Sequence, residues 1–412
     1  MLLRSASLSV TAAFLLFLVA NFTKINQQVS IKRQLYWFMN SDEYDAIAAH
    51  TIMTDVRFQQ MVDQLKSERV TPAVMFLNEA YVNITLNFLC NTKYLEGNVH
   101  DKLLLVTMDD NAKRHINGLY PKLRIFHWPL QVMQVHGGFV TFDLAYDAFM
   151  SFRLNFLFSL AKNGVTHWTI QQDTIWRRNI LLITTEIEAN ATQHGHDIVF
   201  DASGFVGSRR EKLINGANFY VRSTPGALTI LTQAIEILKR SYGLNNDIGA
   251  FMMICGTRPN SNCGYLPLGY ASPWEWMYRN PTDHNVRPYL TQMDCEAKDK
   301  LERFRDFGFY FMDEQGCDQR TVEKAILALS TGNTPQPPMS PLRQFCFKHS
   351  NLIETLMLVP ILNRMPPFIC GVIAFVIDIL EGVIKYLVGC AAVAALCWMF
   401  SQKRTAEKQK LN

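Results

Sequence analysis

VTHWTIQQDTIW, residues 165–176, joins an apolar segment of strand length, Val165 to Ile170, to a polar one that carries a carboxylate at Asp173. β-Branched and aromatic residues fill the first half, as in a buried strand. The same pattern recurs upstream as PAVMFL (72–77), LLLVTM (103–108, followed by Asp109 and Asp110) and LRIFHW (123–128). Helical spacing fills the gaps. It appears over 79–89 and again over 146–162, where Phe149, Phe152, Phe156 and Leu160 fall on one face. Apolar strands alternating with helices predict an α/β fold with a mainly parallel sheet covered on both faces. Ligands of such sheets bind beyond the carboxyl ends of the strands. That rule sets Asn78, Asp109, Asp110 and Asp173 on one rim.

Downstream, Ile198–Asp201 and Phe219–Arg222 read as strands, and 225–242 and 247–254 as helices. The Pro-rich stretch TPQPPMSP (334–341) closes the domain. The chain contains no internal repeat, no GxGxxG and no GxxxxGK[ST] loop, which disfavours a classical dinucleotide or P-loop site.

A carboxylate just past a buried strand can hold a hard divalent cation. The cation would bridge the two phosphates of a nucleotide sugar and neutralise charge as the glycosidic bond breaks. The plainer alternative for Asp173 is a turn or helix N-cap. Arg177 and Arg178 are either phosphate contacts or an exposed basic pair. Trp274 and Trp276 are either a sugar-stacking platform or packing residues, with Glu275 between them as a weak acid/base candidate.

Five segments, in order, resemble the nucleotide-diphospho-sugar transferase domain family, a GT-A-fold group, and look most like its nematode-type branch. The family pattern is Asp-x-Asp, two apolar residues and Trp. Asp173 and Trp176 match it, and Gln171 stands where the first Asp would be. Ile198–Asp201 is similar to the next family strand. Asn215–Arg222 with Ser223-Thr224-Pro225 resembles its NSGFxYxRxT segment, and Asn246-Asp247 its NDQ element with Ile248 for Gln. Pro288–Asp294 resembles its PxxxHxN region, and Lys298 or Lys300 the Lys that follows. Gln292 stands where many such enzymes place a metal-binding His, and His284 is the nearby alternative.

Over residues 72–330 this resemblance implies a Rossmann-like, nucleotide-sugar-binding GT-A domain and a glycosyltransferase that uses Mn2+ or Mg2+. It assigns Asp173, with His284, to the metal, and Gln171 and Gln172 to ribose or phosphate. Asn78 and Asp109 would meet the base and ribose, or act as loop caps. Asp247 would face donor sugar or acceptor, or serve as a helix N-terminal carboxylate. Asp173 and Asp247 are thus the expected catalytic pair. The resemblance also implies retention at the anomeric carbon; the residues themselves decide neither outcome. A catalytically degenerate relative serving as a glycan-binding or scaffold membrane protein is the alternative, and Gln171 is its support.

Composition fits a lumenal membrane-anchored enzyme. The chain is 412 residues long, 49% hydrophobic and 18% charged, enough for a large core. A net charge of +4 offers no footprint for nucleic acid. Residues 8–22 form an apolar run flanked by Arg4 and Lys24, expected to be a signal anchor or a signal peptide. Residues 383–400 are long enough to span a membrane, with Lys385 and Trp398 at interface positions. The basic tail after them belongs in the cytosol. Its ending, Lys408-Gln-Lys410-Leu-Asn412, looks like a KxKxx signal read by a retrieval coat.

The expected layout is therefore a membrane segment over 1–24, a stem or leading helical segment over 25–70, the transferase domain over 71–333, a linker over 334–366, a membrane region over 367–400 and a tail over 401–412. Six cysteines (Cys90, Cys255, Cys263, Cys295, Cys317 and Cys346) lie between the apolar runs, an even number suited to pairing in an oxidising compartment. Asn83 (NIT) and Asn190 (NAT) are glycosylation acceptors. These features point to the Golgi or endoplasmic reticulum membrane, with nucleotide sugar, a glycan or glycoprotein acceptor, the membrane and a retrieval coat as partners.

Overall fold

The two apolar strands that open the α/β pattern, β1 (Ala73–Leu77) and β2 (Leu103–Thr107), are buried at every position. Successive side chains of a strand point to opposite faces. Ala73, Met75 and Leu77 accordingly join one apolar core, while Val74 and Phe76 join another. A sheet with two apolar faces must be covered twice, and it is. The computed structural model describes residues 38–130, 144–203, 213–240, 246–256, 262–278, 286–293 and 300–336.

The main sheet adds β3 (Arg124–His127), β4 (His167–Thr169), β6 (Ile198–Ala202), β7 (Ile214–Val221) and β8 (Cys263–Tyr265), in the order β3-β2-β1-β4-β7-β6-β8. Every pairing is parallel except the two made by β7. One face is covered by α1 (Ala49–Thr54), α2 (Val56–Ser67), α5 (Leu144–Lys162), α7 (Pro225–Arg240) and α8 (Asp247–Cys255). The other is covered by α3 (Val82–Lys93), α4 (Asp110–Leu119) and α6 (Thr184–His194). The helix predicted over 146–162 thus begins at residue 144, and the predicted α/β alternation matches the observed order.

Of the two readings of 25–70, a stem or a leading helical segment, the residues from Phe38 onward form the helical segment. Asp55 caps α2 by accepting from Arg57 N (2.8 Å) and Phe58 N (3.3 Å). Phe58, Met61, Val62 and Leu65 then form a buried stripe in the same core as Phe76 and Phe156. This stretch is therefore a set of helices packed against the sheet. Both apolar runs, 8–22 and 383–400, lie outside the described residues. Among those described, no helix is long and apolar enough to cross a membrane.

QQDTIW leaves the main sheet. Its last three residues form β5 (Thr174–Trp176), which pairs antiparallel with β10 (Leu290–Gln292), itself parallel to β9 (Ala271–Pro273). The far side of β5 is closed by a side chain: Trp176 N donates to Asn91 Oδ1 at 2.7 Å, and Asn91 Nδ2 donates to Trp176 O at 3.1 Å. The Trp176 ring is fully buried, edge-on to Phe88 at 5.5 Å. Trp176 therefore anchors the second sheet rather than lining a cleft. A third core behind it holds Ile175, Phe304 of α9 (Lys300–Asp306) and Val322 of α10 (Gln319–Thr331). The disulfide Cys90–Cys317 crosses to this region, and Cys255–Cys263 joins the end of α8 to β8. Cys295 and Cys346 lie outside the described residues.

The β6–β7 pairing slips between Phe200 and Ala202, which makes a bulge. Gly216 sits at the slip with φ of 69°, a left-handed conformation that L side chains resist. A Cβ there would also meet Ile248 Cγ1 at 2.7 Å. Gly216→Ala should lower the unfolding free energy by about 1–3 kcal/mol; chemical denaturation followed by tryptophan fluorescence would measure it.

Candidate active site

The bulge turns two backbone N–H groups away from the strand ladder and toward one carboxylate. Asp201 accepts from Ala217 N (3.2 Å), Asn218 N (3.0 Å), Asn218 Nδ2 (3.2 Å) and Asn215 Nδ2 (3.1 Å). Asp201 is buried. Burial pushes it up to about 6, against the pull of these donors. Asn218 is fixed at both its backbone and its side chain, and hands that order outward. Its Nδ2 donates to Gln292 Oε1 at 3.0 Å, and its Oδ1 accepts from Gln171 N at 3.3 Å. Gln292 Nε2 lies 3.4 Å from Gln171 Oε1. The NGAN segment recognised in the sequence is thus the joint between the two sheets.

Asp173 follows this amide cluster. Its backbone carbonyl accepts from Met293 N at 2.8 Å. Its carboxylate takes an ion pair from Lys300 Nζ at 2.5 Å. The Asp173 side chain is 4% exposed and that of Lys300 22% exposed. Lys300 Nζ also stands 5.4 Å from the centre of the Tyr81 ring, on the turn that follows β1. Asn78 ends β1 on the same rim, where it is buried with no hydrogen bond to Oδ1. A buried acceptor without a donor costs free energy, and a ligand N–H would relieve it.

A second ion pair lies deeper. Asp247, in the first turn of α8, is fully buried 3.2 Å from Arg153 Nη1. Burial raises the Asp247 carboxyl and Arg153 pulls it back down. Arg153 Nη2 also donates to Gly216 O at 3.2 Å, which ties this pair to the bulge. Tyr146 lies between the two pairs. Its phenol is pushed up by burial first, then by Asp247, while Arg153 and Lys300 pull it back.

The predicted residues divide accordingly. Asp173, Gln171, Gln172 and Asn78 gather on the rim, with Gln172 buried. Asp109 does not present a free carboxylate: Oδ1 caps α4 through Ala112 N and Oδ2 accepts from Glu79 N, both at 2.7 Å. Asp110 is exposed, 3.1 Å from His127 Nε2. Asp247 faces Arg153, not a cleft. Arg177 is held by the carbonyls of Pro288 (2.9 Å) and Arg287 (2.6 Å), while exposed Arg178 lies against the Tyr289 ring. Trp274 is buried and Trp276 donates to Val286 O at 3.1 Å. Asn83 and Asn190 are exposed on α3 and α6. His284 lies outside the described residues. Asn218, Arg153, Tyr81 and Tyr146 also belong to this region, and no sequence expectation covers them. The two asparagines inside an otherwise apolar strand were the available signal for Asn218.

One family model matches the chain, nucleotide-diphospho-sugar transferase, over residues 98–304, half of its length. The chain belongs to this family. It is a glycosyltransferase, and the matched span includes Asp173, Asn218 and Lys300. The match is narrower at both ends than the 72–330 over which the motifs were placed, so Asn78 precedes it. No curated protein matches.

Among solved structures, mouse xyloside xylosyltransferase 1 in its apo form is 11% identical, with 55% of this chain and 98% of that one covered and a TM-score of 0.38. The galactosyltransferase LgtC, in complex with donor and acceptor sugar analogs, is 10% identical over 65% and 98%, with a TM-score of 0.39. The glycosyltransferase GlyE of Streptococcus pneumoniae TIGR4 is 11% identical over 66% of each chain, with a TM-score of 0.38. Likeness at this level gives no residue a role.

Members of the family often use a divalent ion. Such ions take about six oxygen ligands, with carboxylates supplying the charge. Asp173 is the one carboxylate of the QQD segment, and Lys300 already holds it. Gln171, Gln172 and Gln292 are neutral. Among the described residues no three His, Cys, Asp or Glu converge. His284, the other expected metal ligand, lies outside the described residues.

A carboxyl raised above its ordinary 3.8, as Asp201 is, binds a proton more tightly in the folded state. Its contribution to stability is complete below that value and is lost as pH rises through about 6. Between about pH 4 and about pH 7 the wild type should lose roughly 2–3 kcal/mol of unfolding free energy relative to Asp201→Asn, measured by denaturation across pH.

Proposed function

We propose that the protein moves a sugar from a nucleotide-diphosphate sugar, with uridine as the base, to a glycan or glycoprotein acceptor in the lumen of the endoplasmic reticulum or Golgi. The observation that carries this reading is the rim itself. Asn78, the QQD segment and Lys300 meet at the carboxyl ends of β1 and β4, where an open α/β sheet receives its ligand. Family membership supplies the class of donor.

Two disulfides support a lumenal body, since such bonds persist in oxidising compartments. The exposed sequons at Asn83 and Asn190 agree with that setting. Anchoring falls to the apolar runs at 8–22 and 383–400, and retrieval to the Lys-rich tail. The chemistry is electrostatic. The bond from the sugar's anomeric carbon to the diphosphate breaks, an acceptor hydroxyl oxygen forms the new bond and gives up its proton, and the nucleoside diphosphate departs with added negative charge. Groups fixed beforehand around that charge lower the barrier.

A panel of nucleotide sugars offered to the full chain should yield one that is turned over with release of its nucleoside diphosphate. Asp173→Ala should cut that rate by about 10²–10³-fold, the usual cost of one electrostatic contact, with the thermal midpoint held as a control. Release unaffected by Asp173→Ala would refute the site. No release from any donor would favour the scaffold role instead.

A further inference from the structure

We propose that Arg178, seated on the Tyr289 ring beside Arg177, is an anion subsite that takes a carboxylated or sulfated sugar unit of the acceptor glycan. The acceptor part of this claim rests on the nucleotide-sugar reading above.

The first support is the turn at the end of β5. Neighbouring residues of a strand point to opposite faces. Here Arg177 N and Arg178 N both donate to Tyr289 O, at 2.7 and 3.0 Å. The strand ends at that shared carbonyl, and both guanidinium carbons come to one ring, 5.8 and 5.6 Å from its centre. Two like charges are thus fixed side by side.

The second support is the set of partners. Arg177 is half-buried and donates from Nε to Pro288 O (2.9 Å) and from Nη2 to Arg287 O (2.6 Å). Burial first, then the charge of Arg178, hold the Arg177 guanidinium below its ordinary range, and Arg287 adds to the push. Arg178 is exposed, and the ring is the contact its guanidinium makes. Among the described residues no carboxylate forms an ion pair with Arg177 or Arg178. Tyr270, whose ring lies 5.4 Å from that of Tyr289, donates its hydroxyl to Glu186 Oε1 at 2.5 Å and so holds that carboxylate. A guanidinium is a flat fork of five N–H donors that matches the paired oxygens of a carboxylate or sulfate. The ring limits its motion before a ligand arrives.

The third support is position. Asp173 and Arg178 lie at the two ends of β5, five residues apart, a reach of at most about 18 Å. An oligosaccharide with its reacting end at the rim can meet Arg178 with a later unit. The whole chain carries only +4, so the site suits one anionic group on a glycan rather than a polyanion such as nucleic acid.

Fluorescence polarisation with the full chain in detergent tests this, using labelled hexasaccharides of chondroitin sulfate and of hyaluronan, with neutral chitohexaose as the control. An acidic hexasaccharide should bind and chitohexaose should not. Arg178→Ala should weaken that binding by about 10- to 100-fold, the loss of hydrogen bonds to a charged group. Arg178→Lys should restore only part of it, because an ammonium lacks the fork. Arg320→Ala, an exposed arginine on α10, should change nothing, and saturating UDP should leave the hexasaccharide bound. The proposal is overturned if neither acidic hexasaccharide binds, if chitohexaose binds as well, or if Arg178→Ala binds like wild type. Displacement by UDP would also overturn it, since the arginine would then belong to the donor. UDP binding measured alone reports on the nucleotide-sugar reading: its absence, with the Arg178 effect intact, would sink that reading and leave the anion site.

Discussion

A buried carboxylate inside the sheet sets the geometry on which the rest of the site depends. Asp201 needs donors, because an ionised group without them is costly in an apolar interior. The β6–β7 bulge supplies two from the backbone, and Asn215 and Asn218 supply the others. The bulge needs a residue that tolerates φ of 69°, which is Gly216. Once Asn218 is locked, its amide fixes Gln292 on the small sheet and Gln171 at the end of β4. Three amides in register thus join two sheets and aim the loop that carries Asp173.

The same bulge reaches inward. Gly216 O accepts from Arg153, whose guanidinium meets Asp247. Breaking a buried pair leaves the remaining charge uncompensated, so both partners are held for structural reasons. This explains why an Asp at the head of α8 can match a family motif while its carboxylate is shut away from any cleft. On the rim above, Asp173 pairs with Lys300.

Strands buried on both faces were legible because they are continuous apolar runs, and β1 and β2 fall within a residue of their predicted limits. β7 starts well before the predicted Phe219, because Asn215, Gly216 and Asn218 look like loop residues until the bulge and Asp201 account for them. β5, β9 and β10 are three residues each, and their pairing depends on chain segments far apart in sequence, which local patterning does not encode. The strand-end rule and the motif placed Gln171, Gln172 and Asp173 at the end of β4, where they lie. Asp109 satisfied the same rule, yet its oxygens serve the start of α4. The Lys300 contact, 127 residues along the chain, left only its place after a family motif as a clue.

At the centre stands a rim, built from Asn78 and the QQD segment, that receives the diphosphate of a nucleotide sugar. A crystal structure of the protein grown with a nucleoside diphosphate would test it most directly. The phosphates should lie beside Asp173 at the end of β4, with the base toward Asn78. A nucleotide seated elsewhere on the protein would contradict it.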